Sequence, residues 1–159
     1  MHAIGVGWGL PAADGWDNDG IAPRDFLAGL VATVTPGGYF RYPPVHLALL
    51  AAITSPATAV ALVRARSLAA ADVIAEITAV PYMTFFSVAA RVVTIAMAAG
   101  VVWALAAMAR DVRGRGAGLW TAAFAGAGVP LVYYGQTSNL DVPCLFWACL
   151  AMRLSVAAV

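Results

Sequence analysis

The chain has no lysine and little charge of any kind. Its 159 residues carry nine basic and eight acidic side chains, 11% in all, and every basic one is arginine. A soluble domain dresses its surface with roughly a quarter charged residues. This one has less than half of that against 62% hydrophobic residues, so much of its surface must meet something other than water. The near-balance of charge, net +1, excludes the basic footprint of a nucleic-acid binder. Cysteine is scarce too. Cys144 and Cys149 stand five apart in an apolar run, a spacing that puts them on different helix faces and supports neither a disulfide nor a metal site. The first sixteen residues lack the basic region and sustained apolar core of a signal peptide. No span precedes the acidic segment and the last six residues, 154–159, lie in an apolar run, so a fragment that begins one helix late is expected.

What is present is a pattern of charges around long apolar stretches. Asp14, Asp17, Asp19 and Asp25 lie in a Gly- and Pro-rich opening segment, residues 1–41. One short apolar stretch within it, 26–34, has the length of a surface helix. Residues 42–63 are free of charge, with Pro43 and Pro44 suited to a first helical turn. Pro56 is expected to end that helix after about a dozen residues, too few to cross a bilayer. A membrane-embedded or surface helix over 45–55 that does not cross is therefore expected. Arg64, Arg66, Asp72 and Glu76 mark a polar interval. Residues 84–109 are apolar except for Arg91 and form the clearest span. The loop that follows carries Arg110, Arg113 and Arg115 against Asp111, and short Arg-rich loops stay in the cytoplasm. Spans over 117–134 and 142–159 complete the expectation, with Tyr133 and Tyr134 as interface anchors. The expected fold is all-α and integral to the membrane: about three spanning helices after an external region, residues 1–83, with juxtamembrane helices. If the 42–63 segment crossed, the acidic cluster would be cytoplasmic with Arg64 and Arg66 outside. Charge bias and Pro56 are both read against that arrangement, which leaves the acids outside.

Three strings and one arginine are candidates for chemistry. In GWDNDGIAP, Asp17 and Asp19 flank Asn18; D-x-D spacing can hold a cation or supply a base, and Asp-Asn-Asp-Gly is also ordinary turn sequence. In RYPPVH, Arg41 and His46 flank a Pro-Pro corner where they can contact phosphate or hydroxyl groups, or simply frame a helix start. Arg91 lies about 10 Å into its span at 1.5 Å per residue. A charge there is costly and faces a partner or a polar cavity; Asp141 has a compatible depth. In YYGQTSNLDVP, Gln136, Ser138, Asn139 and Asp141 gather at the mouth of a helix pair, where Asn139 and Asp141 can cap the helix or line a site.

In this order, the acidic loop ending at Asp19, RYPPVH, the Arg91-bearing AARVV, the basic hairpin and GQTSNLDVP resemble the N-terminal part of GT-C glycosyltransferases. These are polytopic membrane enzymes related to protein O-mannosyltransferases and the aminoarabinose transferase of lipid A. The likeness runs from about residue 7 to 152 and covers roughly the first third of a family member, so it implies a single partial GT-C domain over 1–159. The resemblance implies inverting transfer of a sugar from a polyprenyl-phosphate donor to a protein, lipid or glycan hydroxyl, on the periplasmic side of a bacterial inner membrane. It makes Asp19 the general base with Asp17 beside it, and assigns Arg41, His46, Arg91 and Asp141 to donor phosphate or substrate. Many relatives carry Asp-Glu in the first loop where Asp19 is followed by Gly20. The resemblance leaves a divalent metal on Asp17 and Asp19 open. Two other classes stand beside this one: a non-enzymatic transporter or assembly subunit, and an inactive gene remnant.

Overall fold

The computed structural model describes residues 5–11, 35 and 44–158. Six helices occupy the described part in chain order: α1 (Pro44–Arg64), α2 (Ala70–Ile77), α3 (Val80–Arg113), α4 (Arg115–Ala127), α5 (Val129–Tyr134) and α6 (Asp141–Ala157). No strand occurs among the described residues, so the all-α expectation holds there. Two helices, α1 and α3, are long and apolar enough to cross a membrane. The expected surface helix over 26–34 lies outside the described residues. The chain divides into two compact units, residues 7–90 in one and residues 1–6 with 91–159 in the other.

In the 7–90 unit, α1 buries Leu47, Leu50, Thr54 and Ala61, a stripe at the three-, four- and seven-residue intervals of one helix face. It packs against α2. The short link between them is tied by Ser67, whose hydroxyl donates to the Asp72 carboxylate while accepting the Ala69 N–H. Contrary to the sequence expectation, Pro56 does not end α1. A helical proline strips the carbonyl four residues back of its donor, here that of Ala52. The Ser55 hydroxyl donates to this same carbonyl at 2.7 Å. Neighbouring hydroxyls back-bond too, Thr54 to the Leu50 carbonyl at 2.8 Å and Thr58 to that of Thr54 at 3.1 Å. Side-chain donors of this kind let helices run through proline in apolar surroundings, and α1 reaches 21 residues.

In the second unit, residues 91–113 of α3 gather α4, α5 and α6. α3 ends where Gly114 takes φ 83°, a left-handed conformation that suits glycine, with its N–H bonded to the Arg110 carbonyl at 2.8 Å. The chain reverses at once into α4, and the two helices approach closely at Gly118: a Cβ there would lie 2.9 Å from the Ala106 carbonyl oxygen. The ring of Phe146 on α6 rests against Gly100 of α3 in the same way. Val101, Ala104 and Cys149 form a small core, flanked by Leu105, Leu131 and Phe146. Both cysteine thiols are free.

The expected span over 117–134 is not one helix. It breaks at Gly128, whose ψ of 117° is extended, into α4 and the six-residue α5. Pro130 is the cause, because it removes the donor for the Gly126 carbonyl. No serine or threonine lies between Gly126 and Pro130 to replace it. Over the last expected span, 142–159, a single helix forms, α6, 17 residues long.

Candidate functional site around Arg91 and the 135–141 loop

Arg91 is the buried charge of α3, with only 8% of its surface exposed. Its Nη1 donates to the Val6 carbonyl at 2.7 Å, and it has interactions beyond this one. Ser87 and Thr94 are also buried on α3. Their positions, 87, 91 and 94, fall at i, i+4 and i+7, so they make one polar stripe on an otherwise apolar helix. The sequence reading singled out Arg91 and missed the two hydroxyls. Their spacing from Arg91 was the signal that would have found them.

The N-terminal segment that receives Arg91 also meets the loop after α5. Gly5 has φ 96°, and a Cβ on it would sit 2.9 Å from Gln136 Oε1. Residues 5 and 6 are thus placed against both Arg91 and Gln136. The loop itself is built by short-range bonds. The Thr137 hydroxyl donates to the Tyr134 carbonyl at 3.0 Å and accepts the Asn139 N–H at 3.3 Å. Asn139, buried, accepts the Asp141 N–H on its side-chain oxygen at 2.7 Å. Asn139 therefore satisfies a donor at the start of α6, one of the two residues expected to do so.

Asp141 makes no such side-chain bond to the helix start. It is exposed in the first turn of α6, where the helix dipole favours a carboxylate. Among the described residues it makes no ion pair with Arg91, which has the Val6 carbonyl among its partners. Asp141 lines a cavity of about 430 Å³ together with Tyr134 and the apolar side chains of Val101, Leu105, Leu131 and Leu145. That is an apolar trough with one acid and one phenol among its walls.

Asp17, Asp19 and Arg41 lie outside the described residues, and so does any metal site they would form. Among the described residues no group of three or more histidine, cysteine or acidic side chains could hold a metal. His46 sits in the first turns of α1, in the other unit, 1% exposed, with Nδ1 buried and without a hydrogen-bond partner among the described residues. The structure thus brings Arg91 together with Val6, whose neighbour Gly5 lies against Gln136, and Asp141 with Tyr134 and an apolar wall. Comparison with known protein families, curated proteins and solved structures gives no match to this chain.

Proposed function

We propose that the chain is an integral membrane protein and contributes part of a glycosyltransferase that moves a sugar from a polyprenyl-phosphate donor to a hydroxyl acceptor. The observation that carries the reading is Arg91, a buried cation on a 34-residue apolar helix. A cation in that setting marks a functional site more often than a structural accident. The membrane setting is supported by the exposure of the two long helices. Only 28% and 33% of the most apolar windows of α1 and α3 are buried, too little for core helices of a soluble domain. Large apolar side chains stand exposed along them and along α4, including Val63, Trp103, Trp120 and Phe124. We place three crossings: the apolar part of α3, α4 with α5, and α6.

The chemistry follows from the carboxylates. Asp19 takes the proton of the acceptor hydroxyl as its oxygen attacks the anomeric carbon with inversion. The polyprenyl phosphate leaves as an anion that needs no proton, only nearby positive charge, which Arg41 and Arg91 supply. The trough beside Asp141 has the apolar walls that an isoprenoid chain requires. This reading puts residues 1–43 on the extracytoplasmic face of a bacterial inner membrane. Since Pro56 leaves α1 intact, α1 is free to cross, and Arg64 and Arg66 fall on the outer side whichever way it runs. The side occupied by the acidic loop is therefore a matter for measurement. Labelling of Thr35→Cys by an impermeant maleimide, with Cys144 and Cys149 replaced by alanine, is expected in intact cells. Labelling only after permeabilisation would put the acids inside and sink the assignment of Asp19. Sugar transfer from polyprenyl-phosphate donors, measured on membranes holding the protein in its genomic context, is expected to vanish in Asp19→Asn at unchanged membrane level. Equal transfer by both proteins would remove Asp19 as the base.

A further inference from the structure

The Arg-rich turn between α3 and α4 does more than set orientation. A groove of about 340 Å³ runs between the two helices there, and its walls divide by chemistry. Trp103, Ala107, Leu119 and Ala122 make an apolar length, while Arg110 and Arg115 stand at the end nearest the turn. Positions 103, 107 and 110 share one face of α3, and 115, 119 and 122 share one face of α4. Trp103 and Arg110 are two turns apart, about 10 Å along the axis. Gly118 forms the floor, because its missing side chain lets the backbone of α4 meet Ala106 and Arg110 directly.

The charge of the groove is not cancelled locally. Asp111 is the acid of the turn, and its carboxylate is shared between Arg153 on α6 at 2.9 Å and Arg110 at 3.4 Å. Arg113 and Arg115 have no ion pair among the described residues. The first turn of α4 has no acidic residue and no side-chain cap, so its own partial positive charge adds to that of the arginines. An apolar groove about as long as half an acyl chain, ending in exposed arginines at a membrane boundary, matches an amphiphile with an anionic head.

We propose that this groove binds one anionic phospholipid, its phosphate held by Arg110 and Arg115 and its acyl chain lying against Trp103 and Leu119. The site rests on the membrane placement of α3 and α4 and is independent of the glycosyltransferase reading. Basic pockets between helices at the cytoplasmic boundary are favourable for such head groups, by a factor of about five for each arginine near the surface.

Trp103 reports directly, since it is 60% exposed on the groove. The full chain is reconstituted in phosphatidylcholine bilayers containing increasing fractions of phosphatidylglycerol or of further phosphatidylcholine, brominated at mid-chain. Quenching assigned to Trp103 is the difference between wild type and Trp103→Phe. Brominated phosphatidylglycerol is expected to quench at several-fold lower mole fraction than brominated phosphatidylcholine. Arg110→Gln and Arg115→Gln are each expected to weaken that preference and together to erase it, while Arg113→Gln, which removes the same single charge outside the groove, keeps most of it. Equal quenching by both lipids would overturn the head-group site and leave the membrane placement standing. No quenching by either lipid would overturn the placement of α3 itself. An Arg113→Gln loss as large as that of either groove arginine alone would reduce the site to diffuse attraction by the turn, which also refutes it.

Discussion

Ser55 is expected to hold α1 together only because Pro56 follows it. The perturbation is Ser55→Ala, made once in the native chain and once beside Pro56→Ala. In the native chain the Ala52 carbonyl has lost its helical donor to proline and receives the Ser55 hydroxyl at 2.7 Å. Removing that hydroxyl strands the carbonyl. In water the loss would be small, because Ala52 is exposed and solvent replaces the donor. In hydrocarbon nothing replaces it, and an unsatisfied group of this kind costs about 1–3 kcal/mol. With alanine at 56 the backbone N–H returns and bonds Ala52 itself, so Ser55→Ala becomes neutral or gains about 0.5 kcal/mol in helix propensity. The four proteins form a double-mutant cycle, read by reversible unfolding in lipid bicelles followed through tryptophan fluorescence. The expected coupling is about 1–3 kcal/mol, above the 0.3–0.5 kcal/mol scatter of independent sites. A coupling inside that scatter would mean that Ser55 does not carry the helix through Pro56, or that this face of α1 is wet. Either outcome undoes the account of why α1 reaches membrane length.

Two further expectations test the second unit. Gly118→Ala should destabilise the protein by about 1–3 kcal/mol, because the new Cβ meets a backbone carbonyl on α3 that cannot move aside cheaply. Gly126→Ala in the same helix has open space around it and should be neutral or stabilising by up to about 1 kcal/mol; equal effects in thermal melts would deny the close approach of α3 and α4. Arg91→Met keeps the bulk of the side chain and leaves the Val6 carbonyl without its charged donor, a loss of about 1.5–3 kcal/mol. Faster proteolysis near residues 5–8 should accompany it, and unchanged stability with abolished sugar transfer would instead assign Arg91 to the donor phosphate.

The sequence reading misjudged Pro56 and Pro130 in opposite directions, and one physical detail separates them. Pro56 was read as a stop and is not; Pro130 was passed over inside 117–134 and is one. Both remove a donor from the carbonyl four residues back. Pro56 comes directly after a serine and two residues after a threonine, whose hydroxyls turn back onto the helix. Pro130 comes after Ala127, Gly128 and Val129, which offer no donor, and Gly128 turns extended at little cost. The residue just before the proline carried the information, and weighing each proline alone discarded it. The long apolar helix α3 was legible because eighteen uncharged residues in succession leave little other choice. Arg91 was legible because it interrupts such a run.

Its partner was not legible, for a reason that also limits the site. Sequence argues charge against charge, so Asp141 was matched with Arg91 by depth alone. One partner of the guanidinium is the Val6 carbonyl, and a backbone carbonyl has no signature in a sequence. Gly5 was the available trace: it permits the φ of 96° that brings residues 5 and 6 between Arg91 and Gln136. The consequence for function is that Arg91 and Asp141 are released from each other. Asp141 has no ion pair among the described residues and stands exposed beside an apolar trough, open to whatever enters it.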